Sequence, residues 1–104
     1  MIRKAFVMSV NAGCEGEYEL RHRSIWLELR GVLKAHGVNN YSIFLRRHTR
    51  QLFAYVEIED SSKWAAIART SECRKWWAHT AELMPHNPDQ SPVSTELQEV
   101  FHLP

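Results

Sequence analysis

Tyr18 and His22 stand four residues apart, a spacing that makes two side chains neighbours on one face of a helix. An imidazole titrates near neutral pH and can give or take a proton, while a phenol beside it can hold a hydroxyl group. Read alone, a histidine on a buried helix face is more often plain packing, its ring satisfied by a backbone group. Trp76 and Trp77 are adjacent, about 100° apart on a helix, so both can border one buried stripe. They read either as two core anchors or as an aromatic wall. Sugars carry C–H patches that lie well against indole, and the indole N–H can donate to a hydroxyl. Tyr41 opens a strand-like segment, so it can pack across strands or turn its phenol toward Tyr18 and His22.

Other chemistries lack their residues. His36, His48, His79, His86 and His102 form no HxH or HExxH spacing, so no metal site is expected. The four glycines are scattered and build no phosphate loop, and no GxSxG elbow is present. Cys14 and Cys73 have neither metal nor redox spacing and are expected to be free thiols. Thirteen Lys and Arg against twelve Asp and Glu leave a formal charge of +1, with no bulk pull on phosphates, so nucleic acid is not an expected partner. The basic stretch 46–50 fits a solvated hairpin tip. No apolar run exceeds five residues, which excludes a membrane-spanning helix. The first residues lead directly into an alternating segment with no secretory pattern, so the cytoplasm is the expected compartment.

The elements that must position these residues follow from periodicity. Residues 2–10 alternate, with Ile2, Phe6, Met8 and Val10 sharing a face with Lys4, and predict a first strand. Helical spacing over 15–36 places Tyr18, His22, Ile25, Trp26, Leu29, Val32 and Leu33 on one stripe, with Gly37 as the stop. Residues 41–47 and 51–59 alternate about a short connection and predict a hairpin. Asp60-Ser61-Ser62 and Thr70-Ser71 supply caps for two helical pieces, the second carrying Cys73, Trp76, Trp77, Thr80, Leu83 and Met84. Pro85 ends it, 85–93 is a proline-rich loop, and 95–103 alternates as a last strand. The order β-α-β-β-α-β predicts one α+β domain over 1–104 of the ferredoxin-like type, with both helices on one face of an antiparallel sheet. The strands are apolar on both sides, so the bare sheet face is expected to meet a second copy.

Several longer stretches carry a resemblance: IRKAFVM at the start, EYELRHRSIWLEL over 17–29, GVNNYSIFL, LFAYVEIE, CRKWW, and MPHNPDQSPVSTELQEVFHL near the end. Almost end to end, the chain resembles the L-rhamnose mutarotase family. The resemblance implies a homodimeric α+β barrel that interconverts the α and β anomers of L-rhamnose without metal or coenzyme. It also implies that His22 is the proton donor and that Tyr18, Tyr41, Trp76 and Trp77 bind the sugar. Ring opening needs a base as well, and a tyrosine, a loop carboxylate such as Asp89, or water could serve. One departure is visible: family members often carry proline inside the IWxEL segment, where this chain has Leu27. That change should affect helix entry more than chemistry. Two further readings of the same fold are a small cofactor-free monooxygenase and a ligand-binding module without catalysis.

Overall fold

The computed structural model describes residues 1–104. Its elements are β1 (Ile2–Ser9), α1 (Glu15–Arg23), α2 (Leu27–Ala35), β2 (Val38–Arg46), β3 (Gln51–Ile58), α3 (Ser61–Ile67), α4 (Ser71–Thr80) and β4 (Thr95–Leu97), with a 3-10 turn at Ala81–Leu83. The strands form one antiparallel sheet in the order β2-β3-β1-β4, the ferredoxin-like arrangement expected from the element order.

The caps act as the sequence suggests. The Asp60 carboxylate accepts from the Ser62 N–H at 2.8 Å, and the Thr70 hydroxyl accepts from the Cys73 N–H at 3.3 Å, satisfying donors that a helix start leaves free. Gly37, just past the end of α2, has φ +77°, and a Cβ there would meet the Glu59 side chain at 2.8 Å. Both its conformation and its crowding require glycine.

The single helix expected over 15–36 is two helices. Trp26 adopts an extended conformation, φ −61° and ψ 137°, between α1 and α2. Packing overrides local periodicity here: the break lets Ile25 and Trp26 both turn onto the core, and the Trp26 ring stands edge-on to Trp76 with centroids 5.1 Å apart. Leu27 is the first residue of α2 and is 76% exposed. Proline is well suited to that position, because the first helical N–H has no partner and the preceding residue is already extended. The departure at Leu27 therefore changes helix entry and leaves the inward faces in place.

The last strand is also shorter than the expected 95–103. Only Thr95–Leu97 pairs with β1. Beyond it the tie is a side-chain ion pair, Arg3 to Glu99 at 2.8 Å, and Val100, Phe101 and Leu103 lie exposed. With no neighbouring strand to pair against, alternation there does not make a ladder.

In β2 the register shifts between Asn39 and Ser42. Asn40, at φ 47°, is the extra residue of a bulge. Val38 before it and Ile43 and Leu45 after it all turn inward. The helix-facing side of the sheet is completed by Phe6, Met8, Leu52, Ala54, Val56 and Ile58. Two core clusters form on this side. One is built around Met8, Tyr18, Leu52 and Leu83, the other around Leu29, Val56, Ile58 and Trp76, and Phe6 packs against both.

Candidate active site

Between the sheet and the helices lies a cavity of about 1090 Å³. Tyr18, His22, Tyr41, Trp76 and Trp77 all line it, so the five residues singled out in the sequence converge. Tyr18 and His22 come from α1. Tyr41 enters beside the β2 bulge and sits edge-on to Phe6, centroids 6.4 Å apart. The two tryptophans come from α4 and differ in their surroundings. Trp76 is 7% exposed and belongs to the core, whereas Trp77 is half-buried and packs at its margin.

His22 is held by its own helix. Its Nδ1 lies 2.9 Å from the Tyr18 carbonyl oxygen. A carbonyl can only accept, so in the neutral ring the proton is on Nδ1, and Nε2 carries the lone pair. The ring also meets Trp76 edge-on, centroids 5.3 Å apart. Burial pushes the His22 pKa below its ordinary value of 6.5, and the backbone hydrogen bond only partly opposes this. Burial raises the Tyr18 phenol, with a further contribution from the nearby Tyr41 phenol. Tyr41 is raised by burial too, and then by Cys73, whose own thiol burial pushes up to about 11. The 37% exposure of Tyr41 is compatible with that crowding because its ring fronts the cavity. At neutral pH this wall is therefore a neutral imidazole beside two protonated phenols.

Arg21 fastens α1 to the far end of α4. Its guanidinium donates to Glu17 at 2.9 Å, to Glu82 at 2.8 Å and to the carbonyl of His79. This tie holds Tyr18 and His22 against the tryptophans. Asp89 does not line the cavity. Its carboxylate instead accepts from the backbone N–H and hydroxyl of Ser91, closing the proline-rich loop and lowering its own pKa. The carboxylates on the cavity wall are Glu19 and Glu96. No group of three or more His, Cys, Asp or Glu side chains is placed to hold a metal, and no helix is long and apolar enough to cross a membrane.

Sequence reasoning passed over Lys4, Trp64, Asn87, Ser91 and Glu96, all of which reach the cavity. Lys4 was visible as the one charge on an apolar strand face. Trp64 lies on α3, where helical spacing alone points to packing. Asn87 and Ser91 lie in a loop whose path no periodicity reveals.

A ferredoxin-like α+β unit whose cavity carries an imidazole–phenol–indole wall is the class of protein that the fold and site define. Comparison with known proteins narrows this. The family model described as L-rhamnose mutarotase matches residues 3–103, and the chain belongs to that family. An L-rhamnose mutarotase of Opitutus terrae is 74% identical over 103 residues, covering 99% of each chain. The crystal structure of an L-rhamnose mutarotase from Formosa agariphila superposes with a TM-score of 0.92 at 39% identity, covering 100% of both chains. A protein from Bordetella bronchiseptica described as an antibiotic biosynthesis monooxygenase superposes with a TM-score of 0.68 at 14% identity, over 95% of this chain and 96% of its own. That last likeness is one of fold alone.

Proposed function

We propose that the protein interconverts the α and β anomers of L-rhamnose, with His22 moving the proton and Tyr18, Tyr41, Trp76 and Trp77 holding the sugar. Family membership supports the reaction. The Nδ1 hydrogen bond to Tyr18, which leaves Nε2 for a substrate proton, carries the residue assignment.

In the neutral state His22 acts first as a base. Nε2 takes the proton of the anomeric hydroxyl as the bond between C1 and the ring oxygen breaks, giving an aldehyde and an alkoxide. The Tyr18 phenol, kept protonated by its raised pKa, donates a hydrogen bond to that alkoxide. The imidazolium then delivers its proton to the same oxygen, and in this step His22 is the proton donor. Rotation about C1–C2 presents the other carbonyl face, and the steps reverse. Proton transfer by a positioned group contributes typically ~10²–10⁴-fold. The indoles and the apolar helix side of the cavity suit the methyl group of a deoxy sugar.

The outer sheet face exposes Phe44 and Leu97 and leaves Val7, Phe53 and Tyr55 half-buried. A second copy covering this face is the reading these residues support, and sedimentation at twice the chain mass is the expected result. The reaction is assigned to the cytoplasm, in keeping with the two free thiols.

Saturation-transfer NMR on L-rhamnose tests the activity. Saturating one anomeric proton should transfer to the other at a rate proportional to enzyme concentration. The rate should fall about 10²–10⁴-fold in H22N. A parent protein that exchanges anomers no faster than buffer overturns the reading.

A further inference from the structure

Lys4 is anomalous for its position. It pairs across β1 and β3 with Val56, which is 0% exposed, and cross-strand partners share a face. Its neighbours on that face, Phe6 and Met8, belong to the core margin and the core. Glu96 lies opposite Phe6 in the β1–β4 register, so it faces the same way, while Thr95 and Leu97 face outward. The Lys4 ammonium donates to the Glu96 carboxylate at 2.8 Å; the Lys4 side chain is 23% exposed and that of Glu96, at the cavity rim, 68%. Both residues line the cavity shared by His22 and the two tyrosines.

An ion pair gives little stability in such a place. Partly exposed pairs contribute little to stability, and well-packed apolar residues often replace buried pairs without loss. A methionine at position 4 would extend the apolar face begun by Phe6 and Met8. The two segments have a second tie, Arg3 to Glu99 at 2.8 Å, which does not reach the cavity. The charge on the cavity wall therefore calls for a ligand. An ammonium offers donors to hydroxyl oxygens, and a carboxylate accepts hydroxyl protons. Side by side they match two adjacent hydroxyls of a polyol, with charged partners that the indoles and the neutral imidazole–phenol wall do not supply.

We propose that Lys4 and Glu96 form one binding unit for the sugar hydroxyls remote from C1, so that they set affinity and hydroxyl specificity while His22 performs the proton transfer. This rests on the reading of the cavity as the L-rhamnose site. The pair is a binding element and takes no proton in the reaction.

K4M, E96Q, the double variant and R3M, each checked for melting temperature, test it by anomer exchange on L-rhamnose. K4M and E96Q should raise KM about 10–100-fold, the loss expected for a hydrogen bond to a charged group, with kcat changed by less than about threefold. The double variant should be little worse than either single one, because the two act as a unit. R3M should leave KM at the parent value. Calorimetric titration with L-rhamnose should show the same loss of affinity. If K4M and E96Q lower the melting temperature but keep the parent KM, the pair is a structural tie and the proposal is overturned. A fall in kcat at unchanged KM overturns it as well. A parent that binds L-rhamnose without exchanging its anomers removes the catalytic reading alone, and the calorimetric losses then decide the fate of the pair. A parent that neither binds nor exchanges overturns both.

Discussion

The His22 imidazole lies nearly parallel on the Tyr18 ring, with centroids 4.0 Å apart and 26° between the planes. Helical spacing brings the two together, and the stack fixes which way the imidazole faces. The phenol proposed to polarise the substrate also forms the bed on which the proposed proton carrier rests. The two roles of Tyr18 can be separated.

Y18F keeps the stack and removes the hydroxyl. It should melt near the parent temperature yet lose about 10²–10³ in kcat, the scale for one preorganised donor at a developing oxyanion. Y18L, which also removes the stack, should lose stability in addition. Parallel melting and exchange measurements on both variants check this, and a Y18F enzyme with parent kcat would remove the phenol from the chemistry.

The pH dependence follows from the depressed pKa of His22. Unfolding returns this group to its ordinary 6.5, so between the folded and unfolded values the unfolded chain binds more protons. The stability it contributes is fully present above 6.5 and is lost as pH falls through the folded value. H22N should flatten this part of the stability profile. Because the base form persists below 6.5, catalysed exchange should stay level from mildly alkaline pH down to that value and decline only beneath it. The raised phenols predict no alkaline loss until well above the ordinary tyrosine value of 10.0. Urea titrations and exchange rates across pH test both halves.

Trp76 and Trp77 should separate on truncation. Trp76 is buried among Leu29, Val56 and Ile67, so W76A should cost ~3–5 kcal/mol of stability and lower activity partly through unfolding. W77A should cost clearly less stability while weakening sugar binding about tenfold, a loss of roughly 1.4 kcal/mol. Denaturation and titration on the same preparations distinguish a core anchor from a cavity wall.

L27P should stabilise the protein by ~0.4–1 kcal/mol. The position is exposed, begins α2 and follows an extended residue, so the ring removes freedom from the unfolded chain without strain. Kinetic constants should stay at parent values. A lower melting temperature would show that helix entry is not relaxed there.

Much of this arrangement was legible in the residues. Four-residue spacing brought Tyr18 to His22, alternation put Tyr41, Ile43 and Leu45 on one face, and Asp60 and Thr70 announced their helices. The break at Trp26 was not legible, because the inward stripe is the same for one helix or two and an indole packed from a distant element decides between them. The last strand was overextended because alternation in 98–103 says nothing about whether a partner strand is present. The place of Lys4 was readable as a face, but its pairing with Glu96 required a register between segments 92 residues apart.

The bulge at Asn40 makes β2 a strand that counts in two ways. Before it, even-numbered Val38 points inward; after it, odd-numbered Ile43 and Leu45 do. Deleting one residue between Val38 and Ile43 would restore a continuous count in which Val38, Ile43 and Leu45 all still point inward, so the core faces do not need the extra residue. What the bulge shapes instead is the strand beside Tyr41, the residue that enters the cavity there, so the extra residue belongs to the site more than to the core. A variant lacking Asn40 should therefore keep the fold while changing how Tyr41 meets a ligand.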